Sequence, residues 1–296
     1  MAARPLPPIA AVLAALALSP GVASAVCRST TCDADCPRDD EGCKTTGEPL
    51  FWASSCVGVS LQEDGTANLP MEQVRPVVEA ALLAWTELPC ETGAASIAFS
   101  PQSDVACRRA EYDADGPNAN VILFQDSKWD YAGVENNLAK TTVTYDRSTG
   151  EILDADIELN FAFNELTVGD DHVVYDLGSI VTHELGHFLG LDHSADPDST
   201  MAAGYEVGST TQRTLELDDI AGVCATYPPE RDAPCDPEPR NGLGDACSGE
   251  EGANGGCAVG APSPHGGGAM RVSLAALIAL GAARRRGRRG REPEGS

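Results

Sequence analysis

Between residues 49 and 230, apolar and polar positions recur with two periods, and each period marks an element. Residues 57–61 alternate as a strand does. Val74, Val77, Val78, Ala81, Leu82 and Trp85 fall on one face at helical spacing and predict a helix ending at Leu88. Its start lies at Met71 or at Pro76, because proline is tolerated in a first helical turn. Short strands follow at 96–100 and 121–125. Residues 138–145 and 152–160 form a hairpin across "DRSTG", and "ILDADIELN" alternates like a strand with one buried face. Asp176 is a good N-cap for a helix through Leu189. A last helix spans 218–227.

The flanks differ in kind. Arg4, the ten-residue apolar run 9–18 and Ala23-Ser24-Ala25 read as an export signal at 1–25, with an apolar core too short to span a membrane. Residues 26–48 are a short Cys-rich segment, and 49–230 carry the apolar periodicity of a single domain. A Pro-, Gly- and acid-rich linker occupies 231–256, and a tail occupies 257–296. Val26 fits poorly as the residue before a lipid-attached Cys27.

Export changes how the cysteines read. Eleven of them in an exported chain are expected as disulfides, with zinc ligation by the first four as the rival reading. A Cys90–Cys107 bridge would close a short loop after the first helix, and the odd count leaves Cys257 over. A net charge of −25 argues against nucleic acid or an anionic membrane as partner. It is compatible with solubility, and with calcium bound structurally by some of the carboxylates.

Three of the chain's five histidines lie in "THELGHFLGLDHS", residues 182–194. His183 and His187 are i and i+4 on the predicted helix, so both imidazoles leave one face and can share a metal ion. Glu184 sits beside that pair and suits a general base for a metal-bound water. Gly190 can take positive φ and end the helix, which lets His193 swing in as the third ligand. Three His nitrogens leave a fourth zinc position open, as catalytic sites require.

HELGHFLGLDH fits the metzincin signature, and Met201 lies where metzincins place the methionine of the turn beneath the zinc. Ser194 after the third histidine, Tyr205, "LELDDIAGVCATYP", "ALLAWTELP", "LAKTTVTY" and "GEILDADIELN" make residues 50–228 resemble a matrixin. The resemblance implies an α/β (α+β) metzincin fold with a twisted five-stranded mixed sheet, an active-site helix and a C-terminal helix. Beyond Gly190 it implies a smaller lower part, with the cleft between. It implies one catalytic zinc on His183, His187 and His193, with Glu184 as base, and a protein or peptide substrate. It also places Cys56 near the closing helix, hence a Cys56–Cys224 bridge. Ser179, Ala202, Ala203, Gly204 and Tyr205 would border an open pocket for a large apolar side chain after the cut. Ala203 replaces the usual proline, and the cysteine switch is absent. His172 is expected in a loop, so no second, histidine-built zinc is expected. "GGCAVGAPSPHGGGAMRVSLAALIALGAARRRGRRG" resembles bacterial sorting signals of the MYXO-CTERM type, in which the cysteine marks processing and arginines stay cytoplasmic. The expectation is a monomeric zinc metalloendopeptidase, secreted or anchored at the cell surface through its tail, acting on extracellular or extracellular-matrix protein.

Overall fold

The computed structural model of the chain describes residues 26–132, 137–245 and the strand Met270–Leu274. In chain order the elements used below are β1 (Val26–Arg28), β2 (Cys56–Leu61), α1 (Met71–Ala84), β3 (Ala98–Pro101), β4 (Val121–Gln125) and β5 (Ala139–Tyr145). They continue with β6 (Ile152–Asn160), α2 (Leu177–Phe188), β7 (Leu191–Ser194), α3 (Leu217–Thr226) and β8 (Met270–Leu274).

The main sheet has the order β3-β2-β4-β6-β5. β3, β2, β4 and β6 run parallel, and β5 is antiparallel to β6, so the sheet is mixed. The antiparallel strand β8 adds to the free edge of β5, with Met270 opposite Tyr145 and Leu274 opposite Thr141. This strand belongs to the C-terminal tail, 257–296. The rest of the tail, Cys257 included, and the export signal lie outside the described residues.

β6 departs from its expected pattern. One buried face was read from the alternation, yet Asp154, Asp156 and Glu158 on the polar face are buried too. The neighbouring strand β4 and the loops on either side of it bring hydrogen bonds to that face. Asp156 accepts from the Glu111 and Val121 amides, and Glu158 accepts from Gln125 and the Tyr131 hydroxyl. Such bonds are what make buried carboxylates tolerable. Burial still pushes both carboxyls above their ordinary range.

α1 starts at Met71, the earlier of the two expected positions, and ends at Ala84 rather than Leu88. The stop coincides with a left-handed Glu87, φ 56°. α2 is the central element, with every residue from Leu177 to Phe188 buried. Asp176 caps its N-terminus, accepting from Ser179 N at 2.7 Å, and the Arg213 guanidinium clamps the same carboxylate. Three aromatic donors satisfy carbonyls of this helix and its C-cap. Trp85 Nε1 donates to Thr182 O, Trp52 Nε1 to Phe188 O and the Tyr227 hydroxyl to Leu189 O, at 2.7–2.8 Å. The last carbonyls of a helix lack internal partners, so the buried end of α2 needs donors such as Trp52 and Tyr227.

The disulfides correct two expected pairings. Cys90 is bonded to Cys224, not Cys107, and Cys56 to Cys235, not Cys224. The turn carrying Cys90 lies against α3, with Cys224 Sγ 4.0 Å from Pro89 O, so the closing helix meets the segment after α1 rather than the start of β2. Cys107 is disulfide-bonded as well, but not to Cys90. Cys27–Cys43 and Cys32–Cys36 knit the N-terminal segment, which gives those four cysteines to bridges rather than zinc. Residues 231–245, read as a linker, lie against the domain. Cys235 tethers them, and Arg231 donates to the carbonyls of Trp52, Ser54 and Ser96.

Candidate metal centre and active site

α2 supplies two of the three histidines one turn apart, and its end supplies the third. Gly190 has φ +87°, and a Cβ there would meet Leu50 O at 2.6 Å, so the close turn admits only glycine. The chain reverses into β7, which pairs antiparallel with β1 and carries His193. The three imidazole rings then lie 4.8–5.3 Å apart, centroid to centroid. One ligand atom from each falls within 4.8 Å of the others. Among the described residues this is the one group of three or more His, Cys, Asp or Glu side chains placed to share a metal.

The outer ring nitrogens decide which atoms face inward. His183 Nδ1 lies 2.7 Å from Thr200 O, and His187 Nδ1 lies 3.0 Å from Leu191 O. A carbonyl can only accept, so Nδ1 of each ring carries the proton and Nε2 presents a lone pair. Nε2 of His183, His187 and His193 is buried without a partner. Burial, reinforced by the neighbouring rings, pushes His183 well down and His187 down to about 3. Burial also lowers His193, against the pull of Asp192. Three neutral imidazoles with converging, orphaned lone pairs are a donor set suited to zinc.

Below the histidines, the chain returns through Met201. Ser194 N donates to Met201 O at 2.8 Å. The turn is tight against α2, since a Cβ on Gly186 would meet Met201 Sδ at 2.1 Å. Asp219, fully buried on α3, holds the turn by accepting from Thr200 N, Met201 N, Glu216 N and the Ser199 hydroxyl. The same turn presents Thr200 O to His183.

Glu184 is fully buried. Its Oε2 accepts from the Thr141 hydroxyl at 2.6 Å, and its Oε1 has no partner. Burial pushes the carboxyl up to about 7, with the Thr141 bonds pulling the other way. His172 is exposed, in a left-handed loop position away from the cluster. Ser179 is buried at the start of α2, and Tyr205 is fixed by accepting from Asp176 N and donating to Ser209 O. Ala202, Ala203, Gly204 and Tyr205 border a cavity of about 970 Å³.

The three histidines singled out from the motif therefore meet in one cluster, and Glu184 is buried beside His183 in α2. Thr141, Asp219 and Arg213 act on this site without having been singled out. Only "LELDDI" carried a signal, through its likeness to the closing helix. Thr141 sits in an alternating strand and looks like any other strand residue.

A family model for matrixins matches residues 52–228, more than half of the chain. Human neutrophil collagenase is 38% identical over 73 residues, which cover 21% of this chain and 16% of the relative. Rat matrix metalloproteinase-16 is 41% identical over 70 residues, 23% of this chain and 12% of the relative. Metalloendoproteinase 1-MMP of Arabidopsis thaliana is 41% identical over 61 residues, 21% and 16% of the two chains. The matched stretch thus spans less than a fifth of these relatives. With its mixed sheet, histidine triad and methionine turn, the chain belongs to the matrixin family.

Proposed function

We propose that the chain is a zinc-dependent endopeptidase of extracellular proteins, with His183, His187 and His193 as zinc ligands and Glu184 as general base. The observation behind this reading is the convergence of three partnerless imidazole nitrogens, with the fully buried Glu184, one of whose carboxylate oxygens is free, following His183 in α2. Zinc, when bound, supplies Lewis acidity that polarises a carbonyl and makes water a stronger acid. Glu184 takes a proton from the attacking water and returns it to the leaving amine. Nδ1 donation to the Thr200 and Leu191 carbonyls fixes the tautomers of His183 and His187.

The disulfides and the export-type N-terminus support secretion. Retention at the surface through processing at Cys257, and a monomeric state, complete the proposal.

Glu184→Gln is the direct test. The variant should bind zinc like the parent and cleave casein at less than a thousandth of its rate, about what a missing catalytic base costs. Residual activity within tenfold of the parent would remove Glu184 from the role. Zinc binding by the parent with no chelator-sensitive cleavage of any protein would make the chain a binding protein instead.

A further inference from the structure

We propose that Thr141 is a positioning residue that holds the base, Glu184, in one orientation through the reaction; this rests on the reading of Glu184 above. The inference starts from the strand. Side chains alternate along β5, so Ala139, Thr141 and Val143 share the face turned to α2. All three are fully buried. Ala139 and Val143 are apolar, as a packed face requires. Only the middle position carries a hydroxyl, and it lies against Glu184.

The contact is double. Thr141 Oγ1 lies 2.6 Å from Glu184 Oε2 and 3.2 Å from the backbone oxygen of the same residue. A hydroxyl has one hydrogen to give and two lone pairs to receive with. Against a carboxylate, its hydrogen goes to Oε2 in a charge-assisted bond. Once Oε1 has taken the proton, Oε2 is the carbonyl oxygen of a carboxylic acid and still accepts from the same hydroxyl. The side chain is therefore held both before and after it takes a proton, and neither arrangement needs a heavy atom to move. Oε1 is left without a partner in the buried site and is the oxygen available to exchange the proton. A valine of the same shape would keep the packing and lose both arrangements.

The experiment compares the zinc-loaded parent with Thr141→Val and Thr141→Ser on a fluorogenic peptide. The valine variant should melt with the parent and hold the same zinc. Its kcat should fall roughly tenfold, about one hydrogen bond's worth, with KM unchanged. Serine restores the hydroxyl and should return kcat to within about threefold of the parent. Crystal structures of both variants supply a readout independent of turnover. Glu184 should occupy more than one rotamer in the valine variant and one rotamer in the serine variant. A valine variant with parental kcat, a KM effect alone, no rescue by serine or a single unchanged Glu184 rotamer would each overturn the proposal. If the parent itself cleaves nothing, the endopeptidase reading fails, and the rotamers still decide what Thr141 does.

Discussion

Replacing Asp219 by alanine should strike the fold and the metal centre together. Its carboxylate is fully buried and accepts from Thr200 N at 2.8 Å, Glu216 N at 2.9 Å and Met201 N at 3.0 Å, besides the Ser199 hydroxyl. Alanine leaves three backbone donors buried without partners. Each costs about 1–3 kcal/mol, and water entering the space recovers part, so the net loss should be roughly 3–5 kcal/mol. For a domain of this size that lowers Tm by roughly 10 °C or more. The second consequence is local. Thr200 O accepts from His183 Nδ1, so a loosened turn frees the ring that it orients. Losing such an outer partner typically costs about 10–100-fold in metal affinity. Calorimetry of the metal-free protein gives the first quantity, and zinc competition against a chromophoric chelator gives the second. A Tm within about 2 °C of the parent, far below the expected shift, would show that the turn is held otherwise. So would a zinc affinity within about twofold.

Three other outcomes follow from the same contacts. In metal-free protein, Glu184 is held near 7 against an ordinary value of 4.5, so the folded state binds the extra proton between those values. Relative to Glu184→Gln, the parent should therefore lose stability as pH rises from 4.5 to 7, which paired denaturant titrations would show. Removing the Cys90–Cys224 bridge as a double serine variant should cost about 2–5 kcal/mol, because the bridge closes a long loop, and a cost under about 1 kcal/mol would contradict the pairing's role. A cleavage-site survey should find Leu, Phe or other large apolar residues after the cut, given the small residues Ala202, Ala203 and Gly204 and the fixed Tyr205; small or charged residues there would exclude this.

What could be read from the chain alone follows the range of the forces involved. The His183–His187 spacing, the Gly190 reversal and the Asp176 cap are local geometry, settled within a turn or two of backbone. They reappear in the structure as they were read. The strands of the mixed sheet were legible for the same reason, since alternation over seven or nine residues reports a pleat. Contacts between distant segments were not. Nothing near Thr141 announces that Glu184 lies against it, 43 residues on. The hydrogen bonds to Asp156 and Glu158 come from β4 and the loops on either side of it. The disulfides failed for a related reason. Cys90 and Cys107 are near in sequence, but the packing of α3 brings Cys224 to Cys90 across 134 residues. The start of α1 was ambiguous because Pro76 suits a first turn, and only packing of the preceding turn selects Met71.

The aromatic donors along α2 also make the protein its own optical probe. The chain has three tryptophans, and two of them, Trp52 and Trp85, spend their indole N–H on carbonyls of α2. Trp85 is fully buried, and Trp52 stacks on Phe188 at the end of that helix. Indole emission responds to the polarity around the ring and to its hydrogen bond. Undocking of α2 should therefore shift the tryptophan spectrum to the red before the remote Trp129 changes. Trp129→Phe would leave a chain whose fluorescence reports on the histidine-bearing helix alone, without label or substrate.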